Sequence, residues 1–197
     1  MGDVKSSLLA SENNSEDKDM MKTISYYSYT PQRYANAADT TAESVRRFVY
    51  AFKDGKRTAT DYAVRLVANS LAKWYGVSCQ DYVLCCIPAA TNAKYTRRFK
   101  RFATEVSRLT GIQNGTAHVS IFGKREAKHN NARHIVSESF GYAVSADPEF
   151  FKGKNVILFD DLITTGTTAE EFAAELEAVE ANVLGAMFLA RTKKINN

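Results

Sequence analysis

The sequence predicts an α/β fold, a mainly parallel sheet flanked by helices, in a single domain over residues 23–197. Three observations carry this. Short continuous apolar runs alternate with longer segments whose apolar residues recur at helical spacing. One such run, Val156-Ile157-Leu158-Phe159, feeds two acids and then a Thr/Gly loop that opens a helix. The chain, at 197 residues and 45% hydrophobic, can bury one sizeable core.

The elements follow in order. Residues 1–22 are rich in Ser, Asn, Asp, Glu and Lys and bury too little apolar area to offset ordering. They read as a disordered leader, with Met21 as an alternative start. Residues 26–41 read as a second loose stretch, tyrosine-rich, lying against the body. Over residues 60–75, Ala63, Leu66, Val67, Leu71 and Trp74 mark one helix face, and Gly76 stops it. Residues 82–87 form a buried strand ending at Pro88. Phe99, Phe102, Ala103, Val106 and Leu109 place a helix over residues 98–109, ended by Gly111. Residues 116–122 alternate as a strand, with Ala117, Val119 and Ile121 on one side. Residues 156–159 are a strand, 168–179 a helix carrying Phe172, Leu176 and Val179, and 183–190 a final strand.

Several classes are excluded. A net charge of +4 suits an anionic ligand but is too small to argue for nucleic acid. No apolar run reaches the roughly 20 residues of a membrane helix, and the N-terminus is unlike a signal peptide, so a cytoplasmic location is expected. Cys79, Cys85 and Cys86 lack metal-ligand spacing and read as small buried thiols. His118, His129 and His134 likewise share no ligand spacing.

The chemistry lies in Asp160-Asp161-Leu162-Ile163-Thr164-Thr165-Gly166-Thr167-Thr168. The acids sit at the carboxyl end of a buried strand, where α/β sheets bind ligands. Gly166 permits a tight turn and close backbone approach. The N–H groups of residues 165–168 converge on a helix N-terminus suited to phosphate, and four threonine hydroxyls add donors. Paired carboxylates can accept from the vicinal hydroxyls of a ribose. Together they describe a grip on a ribose 5-phosphate. Taken alone, Thr167 or Thr168 with Glu170 or Glu171 would also make a capping box.

Residues 156–168 resemble the PRPP-binding motif of type I phosphoribosyltransferases (PRPP is 5-phosphoribosyl 1-diphosphate). The resemblance extends over roughly residues 49–191 to the ComF-like branch, associated with competence. It runs through Phe52-Lys53-Asp54-Gly55-Lys56-Arg57, through Cys86-Ile87-Pro88 with Tyr95-Thr96-Arg97-Arg98-Phe99, through residues 124–131, and through Phe151-Lys152-Gly153-Lys154. The Cys-rich segment that commonly begins ComF proteins has no counterpart here. The resemblance implies a Rossmann-like core with a small hood and a catalytic role for Asp160 and Asp161 at the ribose hydroxyls. It also implies that Thr164, Thr165, Gly166, Thr167 and Thr168 surround the 5-phosphate. Mg²⁺ would be held through PRPP, with no direct protein ligand, and a homodimer is common in the family. The implied activity is transfer of phosphoribosyl to an unidentified acceptor, a nucleobase by family habit, with pyrophosphate leaving. Where 6-oxopurine enzymes open the loop with an Asp, this chain has Thr164, a poor base.

The pyrophosphate is assigned to Ala89 and Ala90, in the loop leaving the strand, and to Arg97, Arg98, Lys124 and Arg125, because Arg grips phosphate bidentately. The basic run Arg97, Arg98, Lys100 and Arg101 reads equally as a solvated helix face. Two other classes stay open beside the transferase: a PRPP sensor without turnover, and a competence-type protein on single-stranded DNA, for which residues 95–102 interleave basic and aromatic residues.

Overall fold

The computed structural model describes residues 21–34, 36, 38–122 and 143–193. The residue 1–20 part of the leader, the whole of 124–131 with Lys124, Arg125, Lys128 and His129, and also His134 lie outside the described residues. Five strands form one parallel sheet in the order β1-β7-β6-β2-β3: β1 Thr23–Tyr29, β2 Tyr82–Cys86, β3 Gln113–Asn114, β6 Asn155–Ile163 and β7 Asn182–Thr192. A separate antiparallel pair joins β4 Val119–Phe122 to β5 Ala143–Ala146. The longer helices are α1 Thr40–Lys53, α2 Arg57–Tyr75, α3 Asn92–Thr110 and α5 Thr167–Ala178, with a single turn, α4, at Pro148–Phe151. An α/β architecture with a mainly parallel sheet and flanking helices is therefore present as expected. Among the described residues no helix is long and apolar enough to cross a membrane.

The strand order decides where a ligand can sit. From β2 the chain passes through α3 to β3 on one side; from β6 it passes through α5 to β7 on the other. Right-handed crossovers in opposite directions put α3 and α5 on opposite faces, and a crevice opens between the carboxyl ends of β2 and β6. The two strands pair from Tyr82↔Asn155 to Cys86↔Phe159, and the Ile87 N–H adds a last bond to the Phe159 carbonyl at 2.9 Å. Beyond it β6 continues alone beside β7 as far as Ile163. Asp160 and Asp161 thus lie inside a strand, at the point where its ladder to β2 stops.

Several expectations need correction. The first four residues of the tyrosine-rich stretch are no loose coat: β1 pairs with β7 from Thr23↔Ala186 to Tyr29↔Thr192 and forms the sheet edge. Its irregular mixture of Tyr and Ser obscures a strand whose β-formers pack on a pleated surface. α1 has no counterpart among the predicted elements, although its signals are ordinary. Asp39 caps it by accepting the Ala42 N–H at 2.8 Å, and Val45, Val49 and Phe52 are buried along one stripe. α3 begins six residues before Arg98, because Thr91 accepts the Lys94 N–H at 3.2 Å as its cap. Residues 116–122 split: Gly115–His118 is a 3₁₀ turn and only Val119–Phe122 is extended. That strand leaves the main sheet, since Thr116 spends its Oγ1 on the Cys86 N–H at 2.9 Å. All three cysteines are free and buried.

The core gathers around four phenylalanines. Phe102 stacks on Phe159 with centroids 4.1 Å apart, Phe52 meets Phe102 edge-on at 5.6 Å, and Phe99 packs edge-on to Phe159 at 6.3 Å. All four are fully buried. They tie α1, α3 and β6 together directly beneath the crevice.

Candidate functional site

The sequence neighbours of that aromatic cluster form the site. Lys53 follows Phe52, Arg98 precedes Phe99, and Asp160 follows Phe159. Three buried rings therefore fix the backbone from which three polar side chains emerge. Successive residues of a strand face opposite sides. Asp161 shares the face of Phe159, toward α1 and α3, whereas Asp160 lines a cleft with the loop that opens α5.

Asp161 is 2% exposed, and both of its oxygens meet cations. Lys53 Nζ lies 3.3 Å from Oδ1 and an Arg98 guanidinium nitrogen 2.7 Å from Oδ2. The same Arg98 nitrogen is 3.6 Å from Asp160 Oδ1, reaching it past the end of β2. Asp160 Oδ1 also accepts the Asp161 N–H at 2.7 Å. Burial pushes both carboxyls above their ordinary range; the Asp161 charge raises Asp160 further, while Arg98 and Lys53 pull both back. Burial likewise pushes up the Cys86 thiol and the Tyr95 phenol beside the pair.

The loop after β6 has the expected form. Gly166 stands at the start of α5 with φ 99°, a conformation that glycine adopts without strain. The N–H groups of Ala169 and Glu170 bond to the Gly166 carbonyl at 2.9 and 3.0 Å. The capping-box alternative is not formed: Gly166 is the capping position and no side chain takes that part. The hydroxyls of Thr165 and Thr167 lie 3.1 Å apart, and Thr164, Thr165, Thr167 and Thr168 are all exposed. A cleft of about 70 Å³ joins this loop to Asp160, Ile87 and Phe188. It combines a helix N-terminus, hydroxyl donors and one carboxylate.

The basic residues separate. Arg98 is turned onto the acids, with 17% of its side chain exposed, and its Nε is buried without a hydrogen-bond partner among the described residues. Arg97 is exposed. Arg101 forms a two-pronged pair with Asp61 of α2, at 3.1 and 2.7 Å, and so fastens α2 to α3. Lys100 lines a different groove, with Thr96 and Asn114. Ala89 is buried and Ala90 exposed in the loop leaving β2, beside the crevice. Lys53 appears in the sequence only within a basic turn; a lysine ending a helix carries no local signal of a site. Gly55 sets its place. A Cβ there would lie 2.6 Å from the Arg97 carbonyl oxygen, so only a glycine, here at φ 67°, lets the α1–α2 turn close on α3.

As a metal site the acid pair is a poor fit, since its two charges already face two cations. Among the described residues no group of three or more His, Cys, Asp or Glu side chains could hold a metal. The arrangement can accept hydrogen bonds from a diol at Asp160 and donate to an anion at the loop. Compared with the models of known protein families and with curated proteins, the sequence gives no match.

Proposed function

We propose that this protein binds the ribose 5-phosphate moiety of PRPP in the β2–β6 crevice and acts as a phosphoribosyltransferase of the type I, ComF-like kind. One observation carries the reading. At the point where strand order reverses, Asp160 and the uncapped Thr/Gly start of α5 line the same cleft. The exposed threonine hydroxyls and loop N–H groups take the 5-phosphate, and Asp160 accepts from a ribose hydroxyl.

In the transfer, the C1–O bond to pyrophosphate breaks and C1 joins a nucleophile of the acceptor. Positive charge develops on the ribose ring, and a fixed carboxylate in a half-buried cleft stabilises it better than water would. The crevice holds the sugar in place, which removes much of the entropic barrier. Mg²⁺ belongs to this proposal as a companion of the ligand's own pyrophosphate, where it would neutralise the leaving group.

Calorimetric titration of PRPP with Mg²⁺, followed by pyrophosphate-release assays over a panel of nucleobases, tests the reading. Tight binding that Asp160→Asn abolishes, with release triggered by one base, supports a transferase. Binding without release for any base supports a sensor. Absence of PRPP binding removes the reading altogether.

A further inference from the structure

We propose that Asp161 never touches the ligand: with Lys53 and Arg98 it forms a positioning triad that keeps Asp160 free and aimed, and Asp160 alone receives the sugar. This rests on the ribose-phosphate reading above. Three observations lead to it. Asp161 is 2% exposed and lies on the α1–α3 face, away from the cleft that Asp160 lines. Both of its oxygens already face cations, at 3.3 and 2.7 Å. Arg98 stands between the two acids, 2.7 Å from one and 3.6 Å from the other, so Asp161 holds the guanidinium that would otherwise close on Asp160.

Two carboxyl groups meet one ammonium and one guanidinium, drawn from α1 and α3. The remaining titratable groups that face the pair are neutral at pH 7. These are Cys86 on β2 and Tyr95 on α3, both pushed up by burial, and Tyr29 on β1, pushed up to about 12 chiefly by burial. Lys53 and Arg98 are therefore the charges that oppose the burial favouring protonated acids, alongside the Asp161 N–H bond to Asp160. Removing either raises the pair further, so the acid limb of ligand binding moves to higher pH.

Two experiments test the triad. In the free full-length protein, carboxyl ¹³C titration reads the acid pair directly in the wild type, Lys53→Met and Lys53→Arg. The midpoint is expected to rise by about one pH unit in Lys53→Met and to return in Lys53→Arg. An unchanged midpoint in Lys53→Met overturns the proposal, and this result needs no ligand.

The second is a cycle read by ribose 5-phosphate affinity at pH 7.5, with folding checked by circular dichroism. Asp161→Asn is expected to weaken binding about tenfold, because the released Arg98 pairs with Asp160, and Asp161→Asn/Arg98→Gln is expected to recover most of it. Failure of the double variant to recover, with its fold intact, shows that Asp161 contacts the ligand and sinks the proposal. Should the wild type bind neither ribose 5-phosphate nor PRPP, the functional reading falls, while the titration still decides the triad.

Discussion

At the residue scale, Asp160 and Asp161 stand in different surroundings because a strand points consecutive side chains to opposite faces. Asp160 is held in a state the fold does not favour. Its carboxyl is raised well above the ordinary value, mainly by burial and then by Asp161. The sign follows directly. A carboxyl that binds its proton more tightly when folded makes the fold less stable as pH rises from the unfolded value toward the folded one. Asp160→Asn should therefore stabilise the protein at pH 7, by about 1 kcal/mol, while abolishing ligand binding. Thermal melts check this: the gain should vanish near pH 3.5, where both forms are neutral. Gly166→Ala places a side chain at φ 99° and should cost about 1 kcal/mol, with phosphate affinity falling alongside.

At the element scale, the site depends on how α1 and α3 meet β6. The phenylalanine cluster makes this junction, and three of its four rings lie next to a polar site residue in sequence. Phe102→Ala removes the ring stacked on Phe159 and should cost about 3–4 kcal/mol in chemical denaturation. A smaller change is more telling. Gly55→Ala drives a methyl group to within 2.6 Å of the Arg97 carbonyl oxygen. It should cost about 2 kcal/mol and shift the pH profile of binding in the same direction as Lys53→Met, though it touches no charged group. An unaltered profile in a folded Gly55→Ala would mean that Lys53 reaches Asp161 whatever the turn does.

At the scale of the whole molecule, the sheet and helices share one main core, from Phe52 and Val67 through Phe159 to Phe172 and Leu189, beside a small second cluster of Tyr29, Val45, Val49 and Ala190. Unfolding should be a single transition, and ribose 5-phosphate at 100 times its dissociation constant should add about 2.7 kcal/mol. Differential scanning calorimetry reads both. The periods of helix and strand and the Thr/Gly loop were legible because they are local. Val156–Phe159 shows its buried strand in four apolar residues, and Gly166 shows its turn by being glycine.

β1 was hidden in the sequence, whereas α1 was not. The mixed Tyr and Ser of β1, with no regular alternation, become a strand only through pairing with β7, 163 residues away at Thr23↔Ala186. α1 carried its cap at Asp39 and its stripe in plain view. The sequence by itself determined the acid pair, the Thr/Gly loop and the α/β class, because strand alternation, glycine conformation and helix-terminus donors are properties of short segments. Only the tertiary structure decided which acid faces the cleft and that Lys53 and Arg98 hold the other. An ion pair between residues 108 positions apart, Lys53 and Asp161, has no periodicity to betray it; it exists because packed phenylalanines bring three elements to one point.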